Sequence, residues 1–120
     1  MQNEPTFETE DVGDVTVVRV LSSSITPQIG EAMMAYRPSR KGKKIILDLW
    51  DVYFLGSVGI SVIVVLLKRV KELKGRLAIA GLDEECEKVI KVSGLEKILD
   101  LYPDVPAALE ALSPKVAVTP

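Results

Sequence analysis

The 120-residue sequence is 48% hydrophobic and 27% charged, the balance of a globular chain with enough residues for one hydrophobic core and too few for two. Its formal net charge of −2 excludes a global positive field that would draw nucleic acid or an anionic membrane nonspecifically, so a protein is the default partner. It has no histidine and a single cysteine, Cys86, which excludes Ser-His-Asp and Cys-His catalysis, an internal disulfide and a structural zinc site.

The chain opens Met1-Gln2-Asn3-Glu4, without the basic and apolar regions of a secretory signal; together with the lone thiol this predicts a cytoplasmic location. Thr6 to Glu10 and Val15 to Leu21 read as strands joined through Gly13-Asp14, an antiparallel hairpin. Pro27 suits a first helical turn, and Ile29, Ala32, Met33 and Tyr36 recur at helical spacing until Pro38 ends the segment. The run Arg37 to Lys44, with Arg37, Arg40, Lys41, Lys43 and Lys44, reads as a solvated loop in preference to a contact for phosphate or an acidic partner, and no interleaved aromatic suggests stacking on bases. Ile45 to Leu49 is a continuous apolar strand of the kind buried on both faces at the centre of a sheet.

A helix is expected over Val58 to Leu73, with Ile60, Ile63, Val64, Leu67, Val70 and Leu73 on one stripe and Gly75 in the position of a left-handed cap. Its longest apolar stretch, Ile60 to Leu67, contains Ser61 and falls far short of the ~20 residues a bilayer crossing needs, so no membrane insertion is expected. Arg76 to Ala80 reads as a short strand. Asp83 then caps a helix whose Glu84/Lys88 and Glu87/Lys91 pairs lie one turn apart, with Gly94 closing it. Ile98 to Leu101 suits an edge strand, Pro106 to Leu112 a last helix and Ser113 to Pro120 a flexible tail. Strands alternating with helices after a hairpin predict an α/β fold, a mixed sheet of about five strands with about four helices.

The segment IILDLWDVYFLGSVG places Ser57 between a buried strand and a long helix. There it reads as the helix cap, its hydroxyl accepting from first-turn amides, at a position where the helix dipole favours negative charge. A plain capping serine and a phosphate-bearing one both fit that position. Val58, Val62, Val65 and Arg69 form a second stripe beside the core stripe, either covered by a neighbouring element or offered to a partner beside Ser57. Ser61, one turn on, reads as a small packing residue. Cys86 falls with Val89 and Ile90 on an apolar face and reads as a buried thiol, with Glu85 and Glu87 opposing a lowered pKa. Asp48 and Asp51 read as strand-end and turn polarity rather than as an acid/base pair. Gly56 and Gly59 lack the Gly-Lys-Ser/Thr ending of a phosphate loop, and no carboxylates have EF-hand spacing. With no nucleophile-base pair and no metal cluster to assemble, neither catalysis nor a cofactor nor a metal is expected.

Taken in order, IILDLWDVYFLGSVGISVIVVL, RLAIAGL, KVSGLEKIL and LYPDVPAALEAL resemble the signature of STAS domains: a strand ending in Asp-Leu, an Asp-Ser-Ser-Gly-like turn, an apolar helix, a later strand, a Ser/Thr-Gly-Leu turn and a closing helix. The domain would span residues 6–112, with 113–120 as tail. The resemblance implies the STAS fold and the role of an anti-sigma factor antagonist, which binds an anti-sigma factor that is also a serine kinase of the GHKL type. It implies phosphorylation at Ser57, the counterpart of the first serine of the family's turn, and partner contacts at Thr26, Gly56, Ser57, Val58, Gly59, Ser61, Val62 and Val65. Gly56 stands where an aspartate usually precedes the acceptor, Thr26 where the upstream Gly-x-Leu-Asp strand end has its aspartate, and Ser23 where it has its glycine. The resemblance leaves a homodimer open. It also allows a second role, as a structural STAS subunit of a signalling scaffold or of a lipid-transport ATP-binding cassette complex, which the two missing acidic groups fit slightly better.

Overall fold

Val15–Val20 (β2), a β-branched run, pairs antiparallel with the more polar Phe7–Val12 (β1) in the computed structural model, which describes residues 7–35 and 44–112. Gly13 supplies the φ of +63° at the two-residue turn, a backbone conformation open to glycine at little cost. β1 runs beyond Glu10 because Val12 pairs with Val15, and the Thr16 hydroxyl donates to Asp11 Oδ1 at 2.8 Å across the strands.

The remaining elements are Pro27–Ala35 (α1), Lys44–Asp48 (β3), Ser57–Glu72 (α2), Arg76–Ala80 (β4), Glu84–Val92 (α3), a 3₁₀ turn at Leu95–Lys97, Asp100–Tyr102 (β5) and Val105–Leu112 (α4). The sheet order is β1-β2-β3-β4-β5, with β2 through β5 parallel and β3 at the centre. Thr6, Tyr36, Pro38, the Arg37 to Lys43 part of the basic loop and the tail 113–120 lie outside the described residues. Lys44 opens β3, and its Nζ lies 2.9 Å from Asp14 Oδ2 at the hairpin turn.

Period-two alternation sends Val18, Val20, Ile45, Leu47, Leu77 and Ile79 to one face, where they meet Ile29 and Met33 of α1, Ile63, Leu67 and Val70 of α2, and Cys86 and Ile90 of α3. The other face carries Val15, Val17, Ile46, Ala78 and Ala80, and packs against Ala108 and Leu112 of α4. The two alanines leave room for α4 to lie close. Each fully buried isoleucine or leucine contributes roughly 1.5–3 kcal/mol to holding these layers together.

Three details differ from the sequence pattern, each for a local reason. The left-handed residue at the end of α2 is Lys74, with φ +59°, and not Gly75. Gly75 N donates to Val70 O at 2.8 Å and Lys74 N to Lys71 O at 2.9 Å, the paired bonds of a Schellman close, which places the positive φ one residue before the glycine. On α3 Lys88 pairs with Glu85 at 3.6 Å rather than with Glu84, while Lys91 pairs with Glu87 at 3.2 Å. β5 starts at Asp100 because Ile98 N and Leu99 N both donate to Leu95 O and close the 3₁₀ turn first.

The topology decides where a site can form. The β2–α1–β3, β3–α2–β4 and β4–α3–β5 connections all return on the same face and the strand order never reverses. The sheet therefore has no topological switch point, the crevice in which open α/β sheets hold small ligands. Its carboxyl edge is instead a surface built from the loops after β2, β3 and β4.

Candidate functional site

Asp48, at the end of the central strand, is buried and fully engaged. Its Oδ2 accepts from Arg19 Nε at 2.8 Å and its Oδ1 from Trp50 N at 3.1 Å. Arg19 also reaches Glu8 Oε1 at 3.0 Å, and the hydrogen bonds to these carboxylates hold its guanidinium pKa above the ordinary value. Asp48 thus fixes how the chain leaves β3, as expected for strand-end polarity, with each carboxylate oxygen holding one donor of the fold.

Between β3 and α2 the loop alternates inward and outward. Val52 and Leu55 are buried, and Tyr53 N and Phe54 N both donate to Ser23 O, at 2.8 and 3.1 Å, tying the loop to the one that follows β2. Cys86 Sγ approaches Val52 O at 3.6 Å and ties it to α3 as well. Burial, reinforced by the hydrogen bond and charge of Asp83, pushes the Cys86 thiol up to about 12, so it is an inert core group. Held from both sides, the loop turns out Trp50, Tyr53 and Phe54, each 67% exposed.

Ser57 is exposed at the start of α2, yet it does not cap the helix as the sequence pattern predicts. The N-cap position belongs to Gly56, which has extended backbone angles and a carbonyl that accepts from Ile60 N at 3.0 Å. Ser57 is the first helical residue, and among the described residues nothing engages its hydroxyl. Its side chain is consequently free for chemistry, next to the unpaired amides of a first turn that contains no acidic residue. A Cβ at Gly56 would lie 2.8 Å from Phe54 Cε2, so the phenyl ring occupies the space of a side chain at that position.

Ser57, Val58, Ser61, Val62 and Val65 of α2 face Pro27, Gly30 and Glu31 of α1 across an open groove of about 470 Å³. Val58 and Val65 are 41% and 40% exposed, whereas Val62 is 9% exposed. The second apolar stripe is therefore split: its ends are open and its middle is packed. Val62 is held down by α1, since a Cβ at Gly30 would lie 2.7 Å from Val62 Cγ2. Gly59 is also buried, with Leu55 Cδ1 2.7 Å from where its Cβ would be. Val62 forms the floor of the groove, and Gly59 lies beneath the start of α2 against Leu55. Ser61 is exposed on the groove wall instead of packing inward. Thr26 is half-buried and its Oγ1 accepts from Ile29 N at 3.2 Å, so its hydroxyl caps α1.

The structure thus gathers Ser57, Val58, Ser61 and Val65 at one open surface and adds Trp50, Tyr53 and Phe54, which the sequence pattern does not distinguish. Half of the chain's aromatic residues fall on this one loop, the signal that would have marked it. Among the described residues no group of His, Cys, Asp and Glu is arranged to hold a metal, and no helix is long and apolar enough to cross a membrane.

The sequence profile of the STAS domain matches residues 6–108. A proposed anti-sigma factor antagonist of Thermotoga neapolitana, the homolog of TM1081, is 36% identical over 67 residues, 56% of this chain and 59% of that protein, so the match spans less than two thirds of that relative's length. The crystal structure of an anti-sigma factor antagonist from Mycobacterium paratuberculosis superposes with a TM-score of 0.76 at 28% identity, covering 89% of this chain and 92% of that one. The unphosphorylated form of the anti-sigma factor antagonist SpoIIAA matches in fold, with a TM-score of 0.77 at 19% identity over 92% of this chain and 98% of that one.

Proposed function

The chain belongs to the STAS domain family, and from that membership and the surface around Ser57 we propose that it is a cytoplasmic anti-sigma factor antagonist, a non-enzymatic regulator that binds an anti-sigma factor. The partner is an anti-sigma factor that is also a serine kinase of the GHKL type, and Ser57 is the phosphoacceptor. The observation that carries this reading is the free, exposed hydroxyl at the first position of α2, on the rim of an apolar groove. The names of similar proteins support the role.

Unphosphorylated, the start of α2 offers Val58, Val65 and the groove between them for apolar contact. A phosphate on Ser57 places close to two negative charges on that surface. The helix itself tolerates them, because first-turn amides and the positive end of the helix dipole face the group. The partner does not, because burying a dianion against apolar side chains carries a large desolvation cost. Regulation then needs no refolding of the antagonist. Incubation with ATP and a GHKL-type anti-sigma factor from the same genome, followed by mass spectrometry, tests the acceptor. Phosphate on the Ser57 peptide and its loss in Ser57→Ala is the expected result; phosphate elsewhere, or none, would remove Ser57 from the mechanism and favour the scaffold or transporter role.

A further inference from the structure

The loop after β3 spreads its three exposed aromatics along the carboxyl edge of the sheet. Trp50 backs onto the turn after β4, where a Cβ at Gly81 would lie 3.1 Å from Trp50 N. Tyr53 and Phe54 sit by Ser23 in the loop after β2, and the Phe54 ring covers Gly56 beside Ser57. At 67% exposure each, the three expose on the order of 300–500 Å² of largely apolar surface, as much as the largest patch on a typical monomer. The backbone beneath them is fixed by Val52, Leu55, the Ser23 carbonyl and Cys86, so little ordering remains to be done on binding.

Arg19, near the carboxyl end of β2, is already engaged by Asp48 and Glu8, which leaves acidic groups exposed on the loops and first turns beside it. Asp51 lies within the loop, Glu84 is exposed in the first turn of α3, and Glu31 is exposed on the α1 wall of the groove. Among the described residues, neither this loop nor the groove lining includes a lysine or arginine. Exposed aromatic faces with a carboxylate, Asp51, in the same loop complement a guanidinium, which stacks on rings and pairs with carboxylates at once; an ammonium does so less well. The same charges oppose an anionic membrane, which loops with exposed tryptophan and tyrosine could otherwise enter.

We infer that Trp50, Tyr53 and Phe54 form a docking ridge for a protein segment that presents arginine among apolar side chains, a contact next to the Ser57 surface and separate from it. The inference rests on the reading that this edge meets a protein, and it specifies the chemistry of that protein. Trp50 is the chain's only tryptophan, so its emission reports directly on occupancy of the ridge.

The test is selection of a phage-displayed library of linear peptides on the wild-type chain and on Trp50→Ser/Tyr53→Ser, with thermal unfolding confirming that both are folded. Arginine-bearing apolar sequences should enrich on the wild type alone. They should shift Trp50 emission to shorter wavelength, bind the double variant at least about tenfold more weakly and lose about fivefold in affinity when arginine is replaced by lysine. Enrichment indifferent to the double substitution or to arginine, absence of any enrichment, or an emission shift produced by phosphatidylglycerol vesicles and not by peptides would overturn the inference. Phosphorylation of Ser57 is read separately, so failure of the ridge is distinguishable from failure of the regulatory role.

Discussion

Cys86 and Lys74 show how single residues carry consequences that composition does not reveal. With its folded thiol pushed up to about 12 against an ordinary value of 9.0, Cys86 holds its proton more tightly in the folded chain than in the unfolded one. Its contribution to stability is therefore full below pH ~9 and is lost as pH rises toward ~12, by up to about 1.4 kcal/mol per pH unit. Urea unfolding of wild type and Cys86→Ala across that range should show the steeper decline in the wild type alone; parallel profiles would contradict the assignment. Lys74 is a different case. A side chain in the left-handed region carries a cost that glycine avoids, so Lys74→Gly should raise stability by about 0.5–1 kcal/mol, read as a higher melting temperature. No change, or a loss, would mean that the Schellman close is not strained at this residue.

At the scale of elements, the α1–α2 contact sets the height of the groove. Gly30 lets the two helices approach until Val62 fills the space where a side chain would be. Gly30→Ala should therefore destabilise by about 1–3 kcal/mol, although alanine is the better helix former, because overpacking outweighs propensity here. Gly30→Ala/Val62→Ala should lose less than the sum of the single changes, measured by denaturant midpoints, and strict additivity would rule out the close contact. The elements themselves were legible because their causes are local: β-branched alternation in Val15–Val20, helical spacing in Ile60 to Val70, and Asp83 ahead of α3. The caps at Thr26 and Asp104 are less legible, because the sequence around them carries no second capping signal, although Thr26 Oγ1 accepts from Ile29 N and Asp104 Oδ1 from Ala107 N at 2.9 Å. The position of Ser57 followed from the strand, turn and helix order. Its failure to cap did not, because a shift of one residue exchanges the roles of serine and glycine. The burial of Val62 depends on a neighbouring helix, and the outward set of Trp50, Tyr53 and Phe54 depends on which residues of a short loop are anchored, so neither is written in any one segment.

For the molecule as a whole, one sheet carries three crossover helices on a single face and α4 on the other, which leaves the carboxyl edge as an open, loop-built surface. A fold without a reversal crevice suits recognition of another protein better than enclosure of a small substrate. In the proposed mechanism that edge is a rigid platform, and Ser57 changes its charge without changing its shape. The affinity of a GHKL-type anti-sigma factor for wild type, Ser57→Ala and Ser57→Asp, measured by calorimetry alongside melting temperatures, tests this most directly. Ser57 caps nothing, so Ser57→Ala should keep both stability and affinity, while Ser57→Asp should keep the melting temperature and weaken binding by about tenfold or more. Equal affinities for all three forms, or a loss of binding that tracks a loss of fold, would contradict the account.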